Sequence, residues 1–334
     1  MRVGIAGAGL LGRLVASRLS LAGHAVTVFD PASGPDHRRA AGFAAAGLLS
    51  PLAELDGADA SLRPLGQRSL ELWPLWLAEL DSPVFFARRG SLLLAHAGDA
   101  GTAQRTLDRI AAAAPDAAPQ PVPPQALHAM EPDLAEGLRG WSLEGEGQLD
   151  AQAAMLALAA SATRGGVRWR WDAAVAQVSE GRLDGERFDH VFDLRGVGAR
   201  PALPVRGVRG EVFELNAPDV NLTRPVRLLH PRLRVYLAPR PGRRLLVGAT
   251  EVESEDESEV SVRATLELLG AAFSVLPGLA EARVLRAEAR LRPALPDHLP
   301  RIERGKGLTR INGLYRHGWL LAPALVEQAL EGMA

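Results

Sequence analysis

The residues best suited to chemistry fall at the two ends of the 334-residue chain. Near the start, Gly7, Gly9 and Gly12 spell GxGxxG, and Asp30 follows 23 residues after Gly7. In that spacing the first glycine makes a tight turn, the second lets backbone N–H groups approach a pyrophosphate, and the third lets a helix lie close on a strand. A carboxylate at Asp30 can accept both hydroxyls of a ribose. The pattern points to a bound dinucleotide, with an empty βαβ unit as the bland alternative. Near the end, Arg290 and Arg292 share one side of a strand that reads as ending at Pro293, where a guanidinium could fork onto a carboxylate. Arg316 and His317 sit in a turn that feeds a closing helix, so several N–H groups and the positive dipole end aim at one place. Taken alone, either arginine suits a surface ion pair better. The chain holds two tyrosines, Tyr236 and Tyr315, each of which also suits a core ring with its hydroxyl at the surface.

Other chemistries are excluded by composition. Cysteine is absent, which removes disulfides, cysteine metal sites, iron–sulfur clusters and a cysteinyl flavin link. Lys306, between two glycines, is the single lysine, so no P-loop lysine exists and a pyridoxal Schiff base has one poor candidate. The eight histidines form no HxH or HExxH pair, and no metal site is expected. A net charge of −1 offers no basic field for nucleic acid. No apolar run reaches the length of a bilayer span, so a cytoplasmic protein is expected.

These residues need elements to position them. Arg2–Ala6 reads as a strand, then a helix with Leu11, Leu14, Val15 and Leu19 on one face, then a stop at Gly23 and a strand over 26–29. The small residues of 40–47 suit either backbone passing against a flat ring or diphosphate, or a tightly packed core helix. A helix over 65–80, a hairpin of 84–87 with 91–95, a helix over 102–114 and a proline-rich extended connection over 115–125 follow. Trp73, Trp76 and Trp141 read as core anchors. Asp150 is placed to cap a helix, and strands are expected over 167–171, 174–178 and 190–194. The stretch 205–250 is strand-rich and leads into a helix over 260–276. A strand over 308–314 and a helix over 320–333 close the chain.

The run Gly47-Leu48-Leu49-Ser50-Pro51, set soon after a GxGxxG and its acid, resembles the second flavin-contacting segment of the D-amino-acid oxidase family of FAD enzymes. It is most similar to the glycine oxidases that serve thiamine biosynthesis. Tyr236 in VYLAPR, Gly248-Ala249-Thr250 and NGLYRHGWLLAP over 312–323 match the patterns of that group. The resemblance is strongest over 3–51 and 287–323 and weakest over 97–146. It implies an α/β fold, a Rossmann-like FAD-binding domain built from 1–60, 147–200 and 285–334. An antiparallel-sheet α+β substrate domain would come from 61–146 and 201–284. It implies noncovalent FAD held by Gly7, Gly9, Leu10, Leu11, Gly12 and Asp30, by Ala45, Ala46, Gly47 and Leu48, by the backbone of Val175, and by Gly196. Arg292, His317, Gly318, Trp319 and Leu320 would flank the flavin ring. Arg316, Arg292 and Tyr236 would bind the carboxylate of glycine or another small amino acid or amine, placing its Cα–H over flavin N5 for hydride transfer. Imine and hydrogen peroxide would form, with oxygen as acceptor. The chain departs from the family at Asp193 and Arg195, where small residues are usual, and at Leu314, where a histidine is common. Open alternatives are a flavin dehydrogenase with another acceptor, an NAD-dependent reductase, and a non-catalytic flavin-binding protein. The oligomeric state is undetermined.

Overall fold

The computed structural model describes residues 1–333. Its opening follows from the glycines. The strand Arg2–Ala6 buries Val3 to Ala6, and the chain turns at Gly7 with φ +103°, where an added Cβ would lie 2.6 Å from the Leu194 carbonyl oxygen. The helix Leu10–Leu21 follows, and a Cβ on Gly12 would collide with the Gly7 carbonyl, so only glycine lets this helix sit on its strand. Gly23 at φ +79° ends the helix region, and Ala25–Phe29 returns beside the first strand.

Six strands form the nucleotide-side sheet, in the order Arg301–Gly305, Leu308–Asn312, His190–Asp193, Arg2–Ala6, Ala25–Phe29, Arg168–Arg170. Every neighbouring pair is parallel except the first. Ala6 lies level with Phe29 on one side and Asp193 on the other, so the carboxyl ends of the central strands finish together, where parallel sheets bind ligands. The helices Leu10–Leu21, Leu62–Ala78, Ala151–Arg164 and Gly318–Leu330 share one core with this sheet. Trp73 anchors it: its ring stacks on Trp319 at 5.3 Å, and its Nε1–H donates to the Trp319 carbonyl at 2.8 Å. Asp150 caps its helix by accepting from Gln152 and Ala153.

The second sheet has eight strands, ordered Arg283–Ala294, Arg206–Asn216, Arg244–Gly248, Arg234–Arg240, Val226–Leu229, Ser91–Ala95, Arg139–Leu143, Gln120–Val122. It is antiparallel except where Val226–Leu229 runs parallel to Ser91–Ala95. The helix Val262–Val275 contributes to its core together with Phe213, Leu237 and Val247.

Several expectations change. Residues 84–95 do not form a hairpin: Phe86–Ala87 pairs with Gly147–Leu149 in a small sheet, while Ser91–Ala95 joins the large one. Gly90, at φ +74°, separates the two. The proline-rich 115–125 is not a plain connection but yields an edge strand, Gln120–Val122, and the start of the helix Pro124–Met130. The strand carrying Arg290 and Arg292 runs past Pro293 to Ala294, at the edge of the large sheet, so the tail joins the nucleotide-side sheet only from Arg301. The stretch 174–177 is irregular, and a short strand begins at Val178. Among the described residues no helix is long and apolar enough to cross a membrane.

Candidate active site

A cavity of about 750 Å³ opens between residues of both sheets. Its nucleotide end is built by Gly7, Gly9, Leu10 and Leu11, at the start of a helix whose first turn has no side-chain cap. The Gly7 N–H donates to the Phe29 carbonyl at 2.8 Å, and the N–H groups of Gly9, Leu10 and Leu11 are left for an anion. Asp30 holds the turn in place: Oδ2 accepts from the Ala8 N–H at 2.6 Å and Oδ1 from the Ala32 N–H at 2.8 Å. Gly12 does not line the cavity; it serves the helix–strand contact. Arg13, which the sequence reading passed over, is buried beneath the turn and donates to the carbonyls of Ala8, Met155 and Pro35 at 2.7 to 2.8 Å. Burial pushes its pKa down to about 10, against the pull of Asp30 and Asp36.

The small-residue run is not the packed core helix of the second alternative; its backbone passes along the cavity. It makes a 3₁₀ turn, Ala41–Ala44, then extends through Ala45 and Ala46 to the short strand Leu48–Leu49. Ala45, Ala46, Gly47 and Leu48 all line the cavity. Gly47 takes φ +61°, and a Cβ there would collide with the Leu149 carbonyl. Buried Arg240 braces the run, donating to the Ala46 carbonyl and, at 2.7 Å, to Gln148 Oε1.

Val175 and Gly196 line the cavity too. The two departures nearby explain each other: Arg195 forks onto the fully buried Asp193 at 2.8 and 2.9 Å and donates to the Val175 carbonyl at 2.9 Å. The Val175 carbonyl thus accepts a hydrogen bond from within the chain.

At the other end, Leu308–Asn312 delivers the chain into a 3₁₀ turn, Tyr315–His317, and then the helix Gly318–Leu330, again with no side-chain cap. His317, Gly318, Trp319 and Leu320 line the cavity, so a second uncapped helix start faces it. Leu314, the third departure, is buried and also lines it.

Arg290, Arg292, Arg316 and Tyr236 all line the cavity, as the shared side of 290 and 292 requires. Arg292 Nη1 donates to the Thr250 carbonyl at 2.9 Å, and its guanidinium lies against Gly210, where a side chain would displace it. Tyr236 is packed so close to Gly248 that a Cβ there would be 2.5 Å from the hydroxyl, and burial pushes its pKa up. Arg290 donates to the carbonyls of Arg38 and Ala289, each at 2.6 Å.

Arg316 is not free. Its Nε lies 3.2 Å from Glu54 Oε2, and its Nη1 donates to Glu251 Oε2 at 3.1 Å. Glu54 also accepts from Arg227 Nη2 at 2.7 Å and lies 3.3 Å from His317 Nδ1. Burial alone would raise the Glu54 carboxyl, but Arg227, Arg316 and His317 hold it well below the usual carboxylate range. Burial also opposes ionisation of Glu251, yet Tyr315, Arg316, Arg234 and Arg292 lower it. Glu54 is positioned by Glu146, which accepts the N–H groups of Leu52 and Ala53 at 3.1 and 2.8 Å and so anchors the turn Ala53–Asp56.

Glu54, Arg227, Arg234 and Glu251 were missed from sequence. Glu54 had a signal, as a lone acid breaking an apolar stretch; Glu251 had none, because it opens the acidic run EVESEDESE.

A family model described as FAD dependent oxidoreductase (DAO) matches residues 2–329. The chain belongs to this family. It is 38 % identical over 330 residues to a putative thiamine biosynthesis oxidoreductase ThiO of Rhizobium etli, covering 98 % of the chain and 95 % of the relative. A bifunctional ThiO/ThiG protein of Nostoc is 27 % identical over 348 residues, and there the chain spans 50 % of the relative's length. The crystal structure of glycine oxidase from Geobacillus kaustophilus superposes with a TM-score of 0.85 at 27 % identity, covering 99 % of this chain and 94 % of that one.

The DAO family's cofactor fits the residues present. The glycine turn leaves the space and the free N–H groups a diphosphate needs, the positive φ at Gly7 and Gly47 keeps backbone against the cavity without side chains, and Asp30 is held at the second strand's end. The protein is an FAD-dependent oxidoreductase.

Proposed function

We propose that the protein is an oxidase of glycine or another small primary or secondary amino acid, using oxygen as acceptor and releasing hydrogen peroxide. The observation that carries this reading is that the uncapped glycine turn and the Arg292–Tyr236 pair line one continuous cavity. The names of the relatives support a role in supplying thiamine thiazole synthesis.

When bound, the flavin supplies the hydride-accepting centre that turns a substrate C–N single bond into an imine and passes the electrons on to oxygen. The chain's own residues bind and orient. Arg292 pairs with the substrate carboxylate, and Tyr236, kept protonated at neutral pH by burial, donates to the same group. Arg316 cannot turn freely toward the substrate, because Glu54 and Glu251 hold it; it offers Nη2 and its charge from a fixed place. At this end of the cavity the guanidiniums of Arg227, Arg234, Arg292 and Arg316 outnumber the carboxylates of Glu54 and Glu251 and disfavour an ammonium nearby, so the amine binds as the free base. Positioning and electrostatics then carry the rate, and no general-base side chain is required. The imine leaves and hydrolyses to the oxo acid and ammonia or an amine.

The test is peroxide formation and oxygen uptake by the purified yellow protein with glycine, sarcosine and D-alanine, repeated with Arg292→Ala. Losing one charge-assisted contact lowers kcat/KM by about 2–4 kcal/mol, or roughly 30- to 1000-fold. An Arg292→Ala enzyme as active as the parent on every carboxylated amine overturns the assignment.

A further inference from the structure

Four guanidinium groups surround the substrate end of the cavity, and their partners do not balance them. Arg227 is paired with Glu54 at 2.7 Å, and Arg316 with Glu54 and Glu251 at 3.2 and 3.1 Å. Among the described residues the side chains of Arg292 and Arg234 have no carboxylate partner; that of Arg292 has the Thr250 carbonyl, and that of the exposed Arg234 has no hydrogen bond. Arg234 stands at the start of the strand Arg234–Arg240, two residues before Tyr236 and so on the same face of the strand. It converges with Arg316 on one point: a methyl on Gly57 would lie 3.0 Å from Arg234 Nη1 and 3.3 Å from Arg316 Nη2. The charge of Arg234 reaches Glu251 together with those of Arg316 and Arg292.

A substrate with a single carboxylate neutralises one of the two unpaired guanidiniums and leaves the other beside two more cations. We propose that the preferred substrate carries a second anionic group, a carboxylate or a phosphonate on its side chain or its nitrogen, and that Arg234 pairs with it. Arg292 takes the carboxylate next to the reacting carbon, and Arg234, nearer solvent at the cavity mouth, takes the distal anion. This inference rests on the reading of the cavity as an amine-oxidising site and names the substrate class of that site. The bond chemistry is unchanged: the same Cα–H and N–H hydrogens are lost, and the second anion stays on the product.

The experiment is anaerobic mixing of the FAD-loaded protein with matched pairs: aspartate against alanine as D-enantiomers, and N-(phosphonomethyl)glycine against sarcosine. Bleaching of the flavin band gives the apparent affinity and the reduction rate. The doubly anionic member of each pair is expected to bind about ten-fold more tightly. Arg234→Gln, which keeps hydrogen-bond donors but removes the charge, is expected to abolish that ratio. Equal affinities within both pairs, or a ratio that survives Arg234→Gln, overturn the proposal. A second readout separates its failure from that of the oxidase reading. If no amine bleaches the flavin, the oxidase reading fails, and Arg234 is still tested by flavin-band shifts with malonate and succinate against acetate. Tighter binding of the dianions that disappears in Arg234→Gln supports the second anion site; no difference overturns it.

Discussion

Glu54→Gln tests whether the site is organised around a buried anion. The carboxylate is held by Arg227 at 2.7 Å, Arg316 Nε at 3.2 Å and His317 Nδ1 at 3.3 Å, with its side chain 16 % exposed. Removing one partner of a buried ion pair costs about 3–5 kcal/mol. Here the remaining cations keep some compensation, because Arg316 retains Glu251 and Arg227 still feels Glu146. A loss of about 2–3 kcal/mol is therefore expected. With an unfolding entropy of about 2 cal/mol/K per residue, this lowers the apparent Tm by roughly 3–4 °C at saturating FAD. The pH dependence has a fixed sign. The folded carboxyl is held below its unfolded value, so the unfolded chain binds the proton more readily. The stabilisation is thus complete above the ordinary glutamate range and lost as the pH falls through the folded value. Differential scanning fluorimetry of both proteins should show a constant gap from about pH 6 to 8 that closes under strong acid. A variant as stable as the parent at pH 7, or a gap that persists undiminished into acid, refutes the reasoning.

Three further perturbations separate the parts of the cradle. Gly9→Ala has room, its new methyl meeting only Ala40 Cβ at 3.9 Å, so it should fold normally yet bind FAD more weakly, whereas Gly12→Ala should fail to fold stably; circular dichroism with flavin titration reads both, and equal behaviour of the two counts against the glycine roles. Asp30→Asn removes an acceptor from either the Ala8 or the Ala32 N–H and should weaken FAD binding about ten- to hundred-fold, followed by the rise in free-flavin fluorescence on dilution. Arg195→Ala leaves the fully buried Asp193 with only Arg310 at 3.9 Å and should cost about 3–5 kcal/mol in denaturant unfolding, most of it restored when Asp193→Ala is added.

The nucleotide end was legible because its signals are local. Gly7 and Gly23 supply a positive φ, Gly12 clears the Gly7 carbonyl and Asp30 accepts the Ala8 N–H, all within the first thirty residues, and Asp150 caps its own helix. The strands between Arg206 and Gly248 fall inside the stretch that reads as strand-rich. Pairing was harder, because it depends on distant chain. Ser91–Ala95 looked like the partner of its neighbour in sequence but takes Val226–Leu229 and Arg139–Leu143 instead, and Pro121 is tolerated because its strand is an edge. The substrate end illustrates the same limit in charges. Arg316 carried a motif and lines the cavity, but the carboxylates that hold it come from residues 54 and 251, one in an apolar run and one in an acidic run. Neither could be assigned a partner until the fold brought them together.

The central claim is that one cavity holds a flavin at the glycine turn and presents a small amine to it beside Arg292. Stopped-flow absorbance under anaerobic conditions tests it most directly. The account predicts a yellow protein whose flavin band bleaches with small carboxylated amines and recovers when oxygen is admitted, with Arg292→Ala slowed in the bleaching phase alone. A protein that stays colourless after incubation with FAD, or a yellow one whose band no amine reduces, would contradict it.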